Sequence, residues 1–288
     1  MMLNRPEGIV PKGFHAIAAT YTLTQALFPE FLLIGTTVGW TLTLQGIFYL
    51  IAPWLSMWLG QSKSMYRIAL RALLVGVLSI FLGILIADLP RSQWSAGTFL
   101  GAPQTYLMHY SIFGHLPDFL AGMVAGLIYV KWSTGRTRRY ARTMIWAGMI
   151  GMFACIVALD TIVMPLGSLL NRVLGIGAAL ATAIIILGMT YDDLQSSLVS
   201  KILSSRPAVY LGKISYALFL IQLTEPCQWI YWVLLGANAG IENRILRAVL
   251  LYGITLIIAA ILYELIERPA HKWLNRGFTR QKQDTETT

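Results

Sequence analysis

Charge is what this chain has least of. Only 12% of its 288 residues are charged, about half the share usual in soluble proteins. By contrast, 56% are hydrophobic and the mean hydropathy is +0.63. No water-soluble core absorbs that much apolar surface, so a soluble globular fold is excluded. Cysteine is nearly absent as well. Cys155 and Cys227 both fall in apolar stretches, where a free thiol behaves as a small hydrophobe and reports neither redox compartment nor metal. There is no CxxC pair, HExxH, glycine-rich phosphate loop or GxSxG element, and no internal repeat of the kind that builds many transporters; no metal is expected. Acidic residues are the scarcer sign, 13 against 22 basic, giving a formal charge of +9. That excess does not make a nucleic-acid partner, because the basic residues are scattered among apolar spans and gather in alternate loops.

What is present in quantity is apolar sequence in membrane-sized pieces. A helix needs roughly 20 apolar residues to cross about 30 Å of hydrocarbon. Such stretches lie near 37–59, 68–87, 113–131, 143–160, 170–190, 208–235 and 246–265. The expected fold is therefore all-α, a polytopic transmembrane helix bundle of about 7–8 spans in the lipid bilayer. One set of loops carries Lys63, Arg67 and Arg71, then Lys131, Arg136, Arg138, Arg139 and Arg142, then Lys201, Arg206 and Lys213, and finally Arg268, Lys272, Arg276, Arg280 and Lys282. The other carries Arg91, Arg172, Arg244 and Arg247. The positive-inside rule puts the richer set and the C-terminus in the cytoplasm. Gly13 to Leu27 is apolar but interrupted by Pro29 and Glu30; a short first crossing is the favoured reading, a surface segment the alternative. The chain is thus expected to divide into an N-terminal segment 1–35, a membrane domain 36–276 and a polar, disordered tail 277–288.

Ionisable side chains in apolar spans are costly and so are candidates for function. His115 and Asp118 stand three apart in HLPDFLAGMVAG, so in a helix they share a face and the carboxylate can orient the imidazole. Such a pair can take a proton from a hydroxyl, as acyl transfer to an alcohol requires. With Pro117 at a helix first turn, interfacial capping is the plainer reading. His109 is read as interfacial, and Asp160 with Arg172 as a structural pair flanking a short outer loop. Gln222 and Glu225 precede Pro226, where a broken helix would line a cavity. At the end of the last span, Arg268 is expected to neutralise Glu267. Arg136, Arg138 and Arg139 are a topology signal first; guanidinium forks can also hold phosphate oxygens. Gly122 and Gly126 form a GxxxG pair, read as close helix packing.

Three segments, in order, resemble acyltransferase family three, the polytopic membrane enzymes that O-acylate cell-surface and secreted carbohydrates. W-T-L-T-L-Q-G-I-F-Y-L from Trp40 to Leu50, with Pro53, is similar to the family's W-S-L-S-x-E-x-x-F-Y-L…P. L-G-K-I-S-Y-A-L-F-L-I-Q from Leu211 to Gln222 is similar to L-G-x-I-S-Y-x-L-Y-L-x-H, and Glu267-Arg268-Pro269 with Lys272 and Trp273 to the closing E-R-P…R-W. Leu23 to Pro29, and Leu116 to Phe119 with Gly122, add weaker matches. The resemblance covers about residues 20–275. It implies transfer of an acyl group, acetyl by expectation, from acyl-CoA to a carbohydrate hydroxyl in the cell inner (plasma) membrane.

Departures bear on mechanism. Members carry a first helix with a basic residue and, eleven positions later, a histidine; here Arg5 and His15 are ten apart with Pro6 and Pro11 between them, so that motif is not carried over. The resemblance implies that the N-terminal helices are missing. The motif glutamate is Gln45 and the motif histidine is Gln222, and an amide is no general base. The expected site is then His115 with Asp118 as base pair, Arg136, Arg138 and Arg139 on the acyl-CoA donor, and Trp40, Gln45, Tyr49, Ser215, Tyr216, Gln222 and Glu225 lining the pocket. The rival expectation is a catalytically incomplete relative, serving as a binding, scaffold or transport subunit.

Overall fold

The computed structural model describes residues 13–32, 38–89, 103–132, 135–161, 168–191, 198–222, 224 and 241–273. These are helices and turns, with no strand among them. In chain order they are α1 (Phe14–Tyr21), two 3₁₀ turns (Gln25–Leu27 and Pro29–Phe31), α2 (Gly39–Gly60), α3 (Met65–Ala87), α4 (Gln104–Tyr110) and α5 (Ile112–Trp132). They continue with α6 (Gly135–Thr161), α7 (Leu169–Tyr191), α8 (Leu198–Leu203), α9 (Arg206–Ile221) and α10 (Ile241–Leu262), which runs on through a π-helical turn at Tyr263–Glu267. Among the described residues, six helical stretches are long and apolar enough to cross a membrane: Gly39–Gly60, Met65–Ala87, Gln104–Lys131, Tyr140–Thr161, Leu169–Thr190 and Val249–Trp273. They coincide with six of the seven spans expected from hydropathy. Of the seventh, 208–235, the described part is α9 and the residues at its end; most of the rest lies outside the described residues.

The chain forms two compact units, Met1–Gly35 with Gly39–Lys201, and Thr36–Val38 with Ile202–Thr288. Helix α3 shows how the first is built. Its buried positions are Ile68, Ala72, Gly76, Ser79 and Gly83, one every three or four residues, while Leu73, Leu74, Val77, Leu78 and Phe81 are exposed. Small residues inside and large apolar ones outside is membrane-protein logic: lipid solvates leucine as well as a protein core does, so close backbone approach selects the interior. The α6–α7 pair follows the same rule. A Cβ on Gly148 would come within 2.6 Å of Ile185 and 2.8 Å of the Ala181 carbonyl, and one on Gly188 within 2.9 Å of the Ala141 carbonyl.

The described part of the N-terminal segment, residues 13–32, is docked into this unit. Helix α1 has eight residues, a rise of about 12 Å against about 30 Å of hydrocarbon, and Leu23 at φ 55° closes it. The following turn is tucked against α2 and α4: the Ala26 amide donates to Thr43 Oγ1 at 3.3 Å and the Tyr106 hydroxyl donates to the Ala26 carbonyl. Phe48 on α2 stacks on Phe119 of α5, centroids 4.5 Å apart. Two of the cations from the basic set of loops also finish a helix. Arg71 Nη1 donates to the Trp58 carbonyl at 3.0 Å, and Lys131 Nζ donates to the Gly60 and Ser62 carbonyls at the end of α2. They satisfy carbonyls that a helix C-terminus leaves open.

Candidate functional site: an imidazole–carboxylate–guanidinium cluster

The site in the first unit begins at the corner between α4 and α5. Ser111 separates the helices, and its hydroxyl donates to Leu107 O and accepts from the Phe113 amide. The turn is so tight that a Cβ on Gly114 would collide with the Met108 carbonyl; only glycine lets the two backbones meet there. Pro117 then falls inside α5, where it cannot donate to the carbonyl of Phe113. That freed oxygen accepts from Ser79 Oγ at 2.8 Å on α3. A proline that would break a soluble helix is accommodated by one hydroxyl on a neighbouring span.

His115 lies on the first turn of α5, and the helical spacing brings Asp118 alongside: Nδ1 is 2.9 Å from Asp118 Oδ2. The other ring nitrogen, Nε2, is 2.8 Å from the backbone carbonyl of His109 in the last turn of α4. A carboxylate and a carbonyl only accept, so a ring bonded at both nitrogens donates from both and keeps no lone pair. Trp40, at the start of α2, lies beside the imidazole at 5.6 Å between centroids and meets Tyr110 edge-on at 5.1 Å.

The third charge comes from α7. Arg172 is 6% exposed and donates from Nη2 to the same Asp118 Oδ2. This corrects the pairing expected from sequence: Arg172 sits within a helix, not in a loop, and its partner is Asp118, while Asp160 is exposed. A guanidinium at an apolar helix start cannot stay buried without a carboxylate, and α7 packs against α5 where Asp118 stands. Asp118 Oδ1 and Arg172 Nε are buried with no hydrogen-bond partner among the described residues.

The other expected residues belong to other elements. Gln45 and Tyr49 occupy the exposed face of α2, Tyr49 at 74%, opposite the buried Thr43, Leu44 and Phe48. Ser215 and Tyr216 are exposed on α9, where Ser215 Oγ donates back to the Gly212 carbonyl at 2.8 Å, and Gln222 is the exposed cap of that helix. Arg136, Arg138 and Arg139 fall in the first turns of α6, and their side chains, like the whole of Glu225, lie outside the described residues. At the end of the last span Arg268 pairs with Glu264, not with Glu267 as expected; Glu267 faces His271 at 3.9 Å. A spacing of four brings those pairs onto one helix face.

Sequence reasoning missed Arg172 and the His109 carbonyl. The signal for the first was a lone cation in an apolar stretch, which demands an acid on another span. A backbone acceptor leaves no trace in composition.

A family model for an acyltransferase domain, acyltransferase family 3, matches residues 7–264. The chain belongs to that family. It is thus a multi-pass membrane acyltransferase by family, and the resemblance first carried by three short motifs extends over nearly the whole chain. No curated protein and no solved structure gave a significant match.

Proposed function

We propose that this acyltransferase moves an acyl group, acetyl in the simplest case, from acyl-CoA to a hydroxyl of a carbohydrate or glycan. In this reading the protein resides in the inner membrane with its C-terminus in the cytoplasm. The observation that carries the choice of centre is the His115–Asp118 contact of 2.9 Å, a carboxylate-oriented imidazole close to one end of a membrane span. The Nε2 proton passes to water, and the acceptor hydroxyl takes the place of the His109 carbonyl and donates to the Nε2 lone pair. The hydroxyl oxygen attacks the thioester carbon, Nε2 takes its proton, the C–S bond breaks, and the proton passes to the leaving thiolate. Asp118 stabilises the imidazolium formed meanwhile, and Arg172, bonded to the same carboxylate oxygen, holds Asp118 in place. Arg136, Arg138 and Arg139 are proposed to hold the donor's phosphates. Trp40 borders the acceptor; Gln45 and Tyr49 on α2 and, in the second unit, Ser215, Tyr216, Gln222 and Glu225 are each candidates for substrate contact.

A second reading has its own support. With both imidazole nitrogens bonded and Arg172 on the same carboxylate oxygen, the cluster also suits a structural lock in a binding, scaffold or transport subunit. A deletion strain separates the two. Loss of glycan acylation that is restored by the wild-type gene and not by His115→Ala, at equal membrane level, supports the base. Full restoration by His115→Ala removes His115 from the chemistry and favours the lock.

A further inference from the structure

The second unit holds an open groove of about 360 Å³ lined by Lys213, Tyr263, Glu267, Arg268, His271 and Lys272. Two of the motif segments, 54 residues apart, converge on it: Lys213 belongs to L-G-K-I-S-Y on α9, and Glu267, Arg268 and Lys272 to the E-R-P…K-W that closes α10. Their convergence has a local cause. Pro269 cannot bond to the Leu265 carbonyl and its ring crowds it, and the π-helical turn at Tyr263–Glu267 widens the backbone just before it. Such turns interrupt a helix at a cost and often mark a site. Tyr263 also meets Tyr210 edge-on, at 6.3 Å between centroids, giving the groove a firm wall.

The charges are unequally matched. Arg268 is engaged by Glu264, and Glu267 faces His271. Lys213 and Lys272 form no ion pair among the described residues, and both are exposed. Two ammonium groups opening on one groove, beside a guanidinium with further donors, fit the oxygens of a phosphate group. We infer that this groove binds a phosphate-bearing ligand at the end of the last span, with Lys213 and Lys272 as its principal contacts. The phosphate belongs either to an anionic lipid headgroup or to a soluble molecule. The site does not depend on the acyl-transfer reading.

The test uses full-length purified protein and two probes. Retention of phosphatidylglycerol from mixed micelles is read by native mass spectrometry, and inorganic pyrophosphate binding by titration calorimetry. Saturable one-to-one binding of at least one probe is expected, weakened at least tenfold in Lys213→Gln/Lys272→Gln. It should change less than twofold in Lys63→Gln/Arg67→Gln, which removes the same charge from exposed positions in the first unit. Response of the lipid alone identifies a headgroup, of pyrophosphate alone a soluble ligand, and of both a site that reads the phosphate itself. Glu267→Gln removes the groove's carboxylate and is expected to tighten binding at least threefold; it carries the test if the double variant does not fold. No saturable binding of either probe, equal weakening in the two double variants, or an unchanged affinity in Glu267→Gln overturns the inference.

Discussion

The His115–Asp118–Arg172 cluster of the first unit and the Lys213–Glu267–Arg268–Lys272 groove of the second use nearly the same side chains in opposite settings. In the cluster the acid, the imidazole and the guanidinium come from two spans, Arg172 is buried, and one carboxylate oxygen serves both partners. In the groove the pairs are four residues apart on one helix, Arg268 is 52% exposed and His271 68%. Buried charges must be paired by a partner held in place, because each is expensive alone. Exposed ones are screened, contribute little to stability and stay available to a ligand. Burial thus separates a fixed arrangement from an adaptable one.

Breaking the cluster is expected to have the largest effect. Arg172→Met leaves Asp118 without its strongest partner and should cost about 3 kcal/mol or more, seen as a lower melting temperature in detergent. Asp118→Leu with Arg172→Met should recover most of that loss. If Arg172→Met melts like wild type, the cluster is no firmer than a surface pair and the contrast fails. Next comes Gly114→Ala, which forces the Met108 carbonyl aside and with it the neighbouring acceptor of His115; about 1–3 kcal/mol is expected. A smaller change, about 1–2 kcal/mol, is expected for Ser79→Ala, because the carbonyl freed by Pro117 loses its donor. In a Pro117→Ala background the helix reclaims that carbonyl, so Ser79→Ala should become nearly silent, a coupling that a double-mutant cycle reads directly. The smallest effect belongs to the groove: Arg268→Ala should leave the melting temperature unchanged within error, and a clear drop would show that its contact with Glu264 is structural.

Much of the architecture was legible along the chain. Six of the expected spans coincide with helices because hydrocarbon thickness dictates the length of an apolar run. The His115–Asp118 contact followed from a spacing of three on a helix that begins at Ile112. Arg172 was misassigned to a loop pair with Asp160 because adjacency along the sequence suggested it, whereas the acid that needed it lies 54 residues earlier. Trp40 stands at the imidazole while Gln45 and Tyr49, from the same motif, point elsewhere; a motif preserves order, and helical phase distributes its members around the axis. Glu264 displaced Glu267 as the partner of Arg268 for the same reason.

By itself the order of residues determined that this polypeptide is an all-helical membrane protein of the acyltransferase family, since apolar length, charge asymmetry and motif order are all written in one dimension. Which carboxylate holds Arg172, which carbonyl occupies His115 and which two motifs meet at a groove were decided only on folding. Those contacts join distant spans, and their geometry follows from how closely small residues let helix backbones approach.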